Sequence, residues 1–389
     1  MTGSRAAMRV SRALLWTLPM LALTALLLGG GNPQRLPGPR LAAYVVDLVF
    51  VNALFFAMLR SGKTDRYRSI LFVTLAIAFV AGFIPSLLET RGNIALSQAD
   101  MVEGKTPFCH VVIPMTIVPA ALTRTIIFPG SILDGFANIA SMFVLWIAFT
   151  LVMGRGFCSW GCFFGGLDEL FSRLRKKRLV KHVAERWTYF PYAMLLFVVV
   201  ASAATLSPTY CEWFCPFKAV TEFEAVTSFK VLVQTVLFVA LFVGLVLVLP
   251  VLTGRRTQCG LFCPFGAFQA LVGRIAPFDV RLERDKCGHN CTLCVHTCPS
   301  FALSAASVES GQTRQSCSLC GKCIDACTKG ALHYHVKGTE VGAHPQAARL
   351  LFLFPSFLFL SVFSGGTVQG FVVRLVHLAA TGSYLLPQG

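Results

Sequence analysis

The sequence predicts a mostly α, polytopic helical membrane protein of about six to eight spans that carries one small α+β domain. Three observations predict this. The mean hydropathy is +0.67, and only 13% of residues are charged, about half the fraction in a soluble chain. Apolar stretches long enough to cross a bilayer, which takes about 20 residues, recur along the chain. Eight of the fifteen cysteines crowd into one modest polar segment, Cys287–Cys327.

Six of the apolar stretches lie near Ala13–Gly30, Leu41–Leu59, Ser69–Leu88, Ile132–Met153, Thr188–Leu206 and Val231–Leu252. A seventh lies near Ala347–Phe363, and a further apolar stretch, Thr367–Leu386, contains Arg374 and His377. Val111–Pro129 holds three prolines and Arg124, which suits a re-entrant or interfacial segment better than a span. Arg5, Arg9 and Arg12 precede the first apolar run as in a signal peptide, but no small-x-small cleavage site follows Leu28, so an uncleaved anchor is expected. The expected division is 1–131, an N-terminal membrane region; 132–277, a membrane core; 278–340, the cysteine-rich domain; and 341–389, a C-terminal hydrophobic part.

Lys and Arg in short loops set orientation. Arg155–Arg186 carries eight of them, Arg60, Lys63, Arg66 and Arg68 crowd the end of the second stretch, and Arg255 and Arg256 follow the sixth. Pro208–Ser228 has Lys218 alone against Glu212, Glu222 and Glu224. Alternating the spans puts the basic loops on one face, expected to be cytoplasmic, and the acidic loop on the other. The cysteine-rich domain then lies in the cytoplasm of a multi-pass bacterial inner-membrane protein, where reducing conditions keep thiolates available. The net charge of +16 reflects this topology, and no separate basic domain exists to bind nucleic acid.

The eight cysteines form two runs. Cys287, Cys291, Cys294 and Cys298 read C-x3-C-x2-C-x3-C-P; Cys317, Cys320, Cys323 and Cys327 read C-x2-C-x2-C-x3-C. Such density suits iron–sulfur clusters, which take four thiolates each. Zinc also accepts four cysteines, but usually from C-x2-C pairs set well apart. Six more cysteines form three C-x3-C pairs just beyond span ends: Cys158/Cys162, Cys211/Cys215 and Cys259/Cys263. The text Gly154-Arg155-Gly156-Phe157-Cys158 through Gly165 and the text Gly254-Arg255-Arg256 through Gly266 look like two copies of one repeat. By the charge pattern both copies lie on the cytoplasmic side and Cys211/Cys215 on the opposite side.

The two runs resemble a bacterial two-cluster ferredoxin. Spans ending in Gly-Arg and C-x3-C, followed by those runs, resemble the NapH/NosR/CcoG group of membrane polyferredoxins over roughly Ile132–Leu332. That resemblance implies a ferredoxin-like domain with two 4Fe–4S clusters, in which the fourth cysteine of each run serves the other cluster. One ligand set is then Cys287, Cys291, Cys294 and Cys327; the other is Cys317, Cys320, Cys323 and Cys298. This chain departs from the pattern in having three residues between Cys287 and Cys291, Thr328 after Cys327, and Phe163 after Cys162 where the group has proline. The first three spans and the tail after Gly338 are not explained by the resemblance, and no large flavin-binding domain of the NosR kind is visible.

Three roles stand for the pairs. Cys158, Cys162, Cys259 and Cys263 could together hold a further iron–sulfur cluster; the pairs could be redox dithiols; or they could simply pack. Cys211 and Cys215 with Cys109 and His110 make a candidate metal or redox site on the outer side, or a disulfide; no haem motif is present. His289, His296, His333 and His335 are expected around the clusters and not as ligands. Trp160 and Trp213 suit the aromatic belts of a membrane protein. Arg374 and His377 could meet a quinone or a lipid headgroup. No dinucleotide fingerprint, P-loop or hydrolase triad occurs. The expected function is electron transfer, as a component of an oxidoreductase system, between cytoplasmic clusters, a membrane-face cysteine site and quinone or a periplasmic redox partner. The alternative is metal handling: iron or copper uptake, or metalloenzyme maturation.

Overall fold

The computed structural model describes residues 8–30, 38–93, 95–96, 109–124, 126, 132–133, 138–175, 177–180, 183–221, 223–287 and 291–386. Among them seven helices are long and apolar enough to cross a membrane: Val10–Leu28, Gly38–Ser61, Thr64–Glu89, Ile139–Trp160, Glu185–Thr205, Phe229–Thr253 and Pro345–Thr381. The proline-rich stretch after Cys109 forms only a short apolar helix, His110–Thr123, which stops at Arg124 in the left-handed conformation (φ 59°). His289 lies outside the described residues.

The last two apolar stretches are not separate. They form one 37-residue helix, Pro345–Thr381. Gly365 lets it continue close to its neighbours, because a Cβ there would run into Leu28. Arg374 is accommodated within it by a two-pronged ion pair with Glu89, which answers its charge inside the protein, while His377 bonds to the Ser383 carbonyl.

The chain forms two compact units. The first comprises residues 1–90, 155–169 and 277–389. Its cysteine-rich domain is framed by an antiparallel pair of strands, Phe278–Leu282 and Leu332–Val336, with Phe278 opposite Val336 and Leu282 opposite Leu332. Between the strands lie three short helices, Leu293–Thr297, Ala305–Ser310 and Lys322–Ala326. The long C-terminal helix packs on the strand Leu332–Val336 and on the helices Gly38–Ser61 and Val10–Leu28. Phe352 anchors that packing. It is fully buried, stacks on Tyr334 at 4.5 Å, and meets Phe278 at 5.5 Å and Trp160 at 5.6 Å edge-on. Burying such aromatics is worth about 1.5–3 kcal/mol each.

The second unit comprises residues 91–154 and 170–276. Helix Phe190–Thr205 packs on Ile113–Thr123 and on Pro264–Val272. Gln269 ties the unit together: its carbonyl accepts from Trp146 Nε1 at 2.8 Å, and its amide donates to Thr150 Oγ1 at 2.8 Å and to the Gly154 carbonyl at 2.9 Å. Two helix starts are capped as their sequences foretell, by Asn138 to the Ser141 N–H and by Ser228 to the Val231 N–H.

Three helices end alike. Each stops at a residue with positive φ, Gly154 (53°), Leu206 (51°) or Gly254 (62°), and each is followed by a C-x3-C pair. After Leu206 and Gly254 the chain folds back along its own helix. The Thr209 N–H reaches Ser202 Oγ at 3.2 Å, and Thr257 Oγ1 donates to the Leu245 carbonyl at 2.8 Å. Wide π-type turns, Tyr210–Phe214 and Gln258–Phe262, then carry the cysteines.

Candidate functional site

In the cysteine-rich domain the two runs fold alike at their fourth cysteine. The Ala302 N–H points at Cys298 Sγ at 3.2 Å, and the Ala331 N–H points at Cys327 Sγ at 3.3 Å. Three residues beyond each cysteine the chain turns through positive φ, at Phe301 (56°) and at Gly330 (64°). This turn aims the next amide back at the sulfur. Amides directed at sulfur favour thiolate, and they are one of the means by which a protein tunes a bound cluster.

The runs also interleave. Burial pushes the Cys317 thiol up to about 12, and the charges of Cys298 and Cys320 push the same way. Burial raises Cys323 far more, with Cys320, Cys317, Cys298 and Cys294 adding to it. Cys298 of the first run therefore stands among the cysteines of the second. Burial likewise pushes Cys294 up to about 11, with Cys287 and Cys291 reinforcing it. Sulfurs so gathered and so dry ionise only beside a cation, which is what a metal centre supplies. Among the described residues no group of three or more His, Cys, Asp or Glu side chains is placed to hold a metal ion.

Cys158 and Cys162 belong to the first unit, beside the second run. Trp160, between them, is fully buried and donates Nε1–H to the Leu319 carbonyl at 3.1 Å; it is an interior side chain and not part of an aromatic belt. Tyr334 donates to the same carbonyl at 3.2 Å. Arg68, also fully buried, joins the two segments. Its guanidinium donates to the Ser159 carbonyl at 2.7 Å and to the Cys320 carbonyl at 3.2 Å. Asp65 at 2.7 Å and Glu169 at 3.3 Å balance its charge. The Gly165 N–H lies 3.4 Å from Cys162 Sγ. Asp325 of the second run accepts the N–H groups of Thr64 and Asp65 at 2.9 and 2.8 Å and of Arg66 at 3.3 Å, capping the helix that carries Arg68. His335 pairs with Asp279 at 2.8 Å and His333 approaches Glu283 at 3.4 Å.

The remaining candidates lie in the second unit. Cys109, Cys211, Cys259 and Cys263 are partly buried and Cys215 is buried. His110 is buried, and its ring meets Phe265 at 5.0 Å.

A family described as a 4Fe-4S binding domain matches residues 135–182, 187–231 and 235–283. Each matched stretch holds one of the three C-x3-C pairs. Ferredoxin-type protein NapH of Escherichia coli is 28% identical over 48% of this chain and 63% of its own. Regulatory protein NosR of Stutzerimonas stutzeri is 32% identical over 42% of this chain and 23% of its own. Protein NirI of Paracoccus denitrificans is 26% identical over 52% and 30%. This chain is similar to NapH/NosR-type membrane ferredoxin-type proteins over about half its length. It spans less than two thirds of each of these relatives, and no solved structure matches it.

The three matched stretches give the repeat three copies and not the two visible in the text. The middle copy escapes notice because Leu206 stands where the others have glycine. Sequence reading also passed over Arg68 and Asp325. Arg68 was counted with the loop charges; the signal available was its place one helical turn inside an apolar helix, where a charge needs partners.

Proposed function

We propose that this protein is an electron-transfer component of the bacterial inner membrane, with its ferredoxin domain in the cytoplasm. One 4Fe–4S cluster is held by Cys287, Cys291, Cys294 and Cys327, and the other by Cys317, Cys320, Cys323 and Cys298. The placing of Cys298 among the second-run cysteines is the observation that carries this reading. Such clusters, when bound, supply one-electron transfer.

The chain's own residues do the rest. Ala302 and Ala331 direct amides at sulfur. Arg68 sets a positive charge against the Cys320 carbonyl. Trp160 and Phe352 exclude water from the second run, while Cys291 of the first run is exposed. The open end suits exchange with a soluble donor or acceptor, and the closed end faces Cys158 and Cys162. The name of one relative, a ferredoxin-type protein, supports electron transfer; onward transfer to quinone or to a periplasmic partner belongs to the same reading.

The test is iron and acid-labile sulfide per chain on anaerobically purified protein, with EPR of the reduced state. At least about eight irons and two interacting 4Fe–4S signals are expected; Cys317→Ser should remove one signal and leave the other. Zinc in place of iron would end the electron-transfer reading.

A further inference from the structure

We propose that Cys109, Cys211, Cys215 and Cys263 form one four-thiolate site inside the second unit, with the chemistry that holds an iron–sulfur cluster. The proposal rests on the electron-transfer reading above and adds a centre to it.

Three separate segments converge there. Tyr210, next to Cys211, accepts a hydrogen bond from Gln258 Nε2 at 3.1 Å, and its ring meets that of Phe262, next to Cys263, at 6.4 Å. His110, next to Cys109, rests its ring on Phe265, two residues beyond Cys263. The two fold-backs that follow Leu206 and Gly254 bring these turns alongside their own helices.

The grouping differs from the one the repeat suggests. Cys109 lies outside all three matched stretches, and Cys263 joins the pair Cys211/Cys215 that the loop charges assign to the opposite membrane face. A site drawing on turns from both faces lies between them, within the thickness of the membrane. A redox group there shortens a route for electrons across the bilayer. Four thiolates are the donor set of a 2Fe–2S or 4Fe–4S cluster.

The experiment uses the full chain, purified anaerobically in detergent, with iron, sulfide and EPR measured on wild type, Cys109→Ser, Cys263→Ser and Cys158→Ser. The wild type should hold two or four irons above the eight of the ferredoxin domain. Cys109→Ser and Cys263→Ser should each lose that same increment and keep both ferredoxin signals, which also shows that they are folded. Cys158→Ser should keep the increment. Eight irons without remainder in the unaltered protein would overturn the proposal while leaving the electron-transfer reading intact. So would an increment lost in Cys158→Ser and Cys263→Ser but kept in Cys109→Ser, or stoichiometric zinc or copper lost with Cys109. Absence of the ferredoxin signals from wild type would instead defeat the reading on which the proposal rests.

Discussion

Arg68 shows how much one side chain can carry in this protein. It lies wholly out of water, bonded to carbonyls on two cysteine-bearing segments and to two carboxylates. Removing one partner of a buried ionic network costs about 3–5 kcal/mol, because the others are left uncompensated. Arg68→Gln should therefore lower the thermal midpoint measurably, followed by loss of cluster absorbance. In protein that remains folded, it should also lower the potential of the second-run cluster. Loss of a nearby positive charge disfavours the reduced, more negative form of a bound cluster, so the potential falls. A redox titration by EPR that finds this potential unmoved would leave Arg68 a purely structural bolt. The two cysteine runs stand out in the sequence by their spacing, and the structure folds both alike at the fourth cysteine. Arg68 and Trp160 do not stand out, because their roles depend on which loop each one meets, and a composition pattern does not record that.

At the level of elements, the repeated unit is a helix, a left-handed residue and a turn bearing two cysteines. The left-handed residue is not equivalent in the three copies. A Cβ on Gly154 would sit 2.5 Å from the Gly273 carbonyl, whereas on Gly254 it would meet only the flexible side chain of Arg178, at 2.9 Å. Both positions have positive φ, which strains any residue carrying a Cβ, but only the first substitution also forces backbone apart. Gly154→Ala should thus destabilise clearly more than Gly254→Ala, as a comparison of their thermal unfolding in one detergent will show. Leu206 already bears that strain, which hid the middle copy from any reading that looks for glycine.

The capping of the helix Thr64–Arg91 by Asp325 is a second element-scale feature. Asp325→Ala leaves three helix-end N–H groups without their acceptor and should cost about 1–2 kcal/mol, while Asp325→Asn, which keeps a carbonyl oxygen, should lose less. Equal losses in the two variants would mean that charge, and not hydrogen bonding, holds the joint.

Over the whole molecule, the order of the spans followed from hydropathy, but among the described residues seven helices answer to eight apolar stretches, because the last two are one helix. What hydropathy missed was continuity: a glycine pair and an arginine read as an interruption, yet Pro345–Thr381 is unbroken. A break reads as local in sequence, whereas here it is prevented by neighbours far along the chain, Leu28 and Glu89. Gly365→Pro tests this directly. Proline inside a helix costs about 3 kcal/mol or more, and new protease cleavage near residue 365 together with a lowered thermal midpoint is the expected outcome.

That unbroken helix has a mechanical consequence. Its 37 residues, at about 1.5 Å each, make a rod of roughly 55 Å, against a hydrocarbon layer of about 30 Å. One end is clamped to the ferredoxin strand Leu332–Val336 and the other to Glu89. The domain of the two cysteine runs is consequently fixed to this helix and not tethered to it. Under the proposed function, a soluble partner must then find its attitude by diffusion. Turnover with such a partner should therefore follow encounter frequency, rising with partner concentration and falling with solvent viscosity, and not the swing of a hinge.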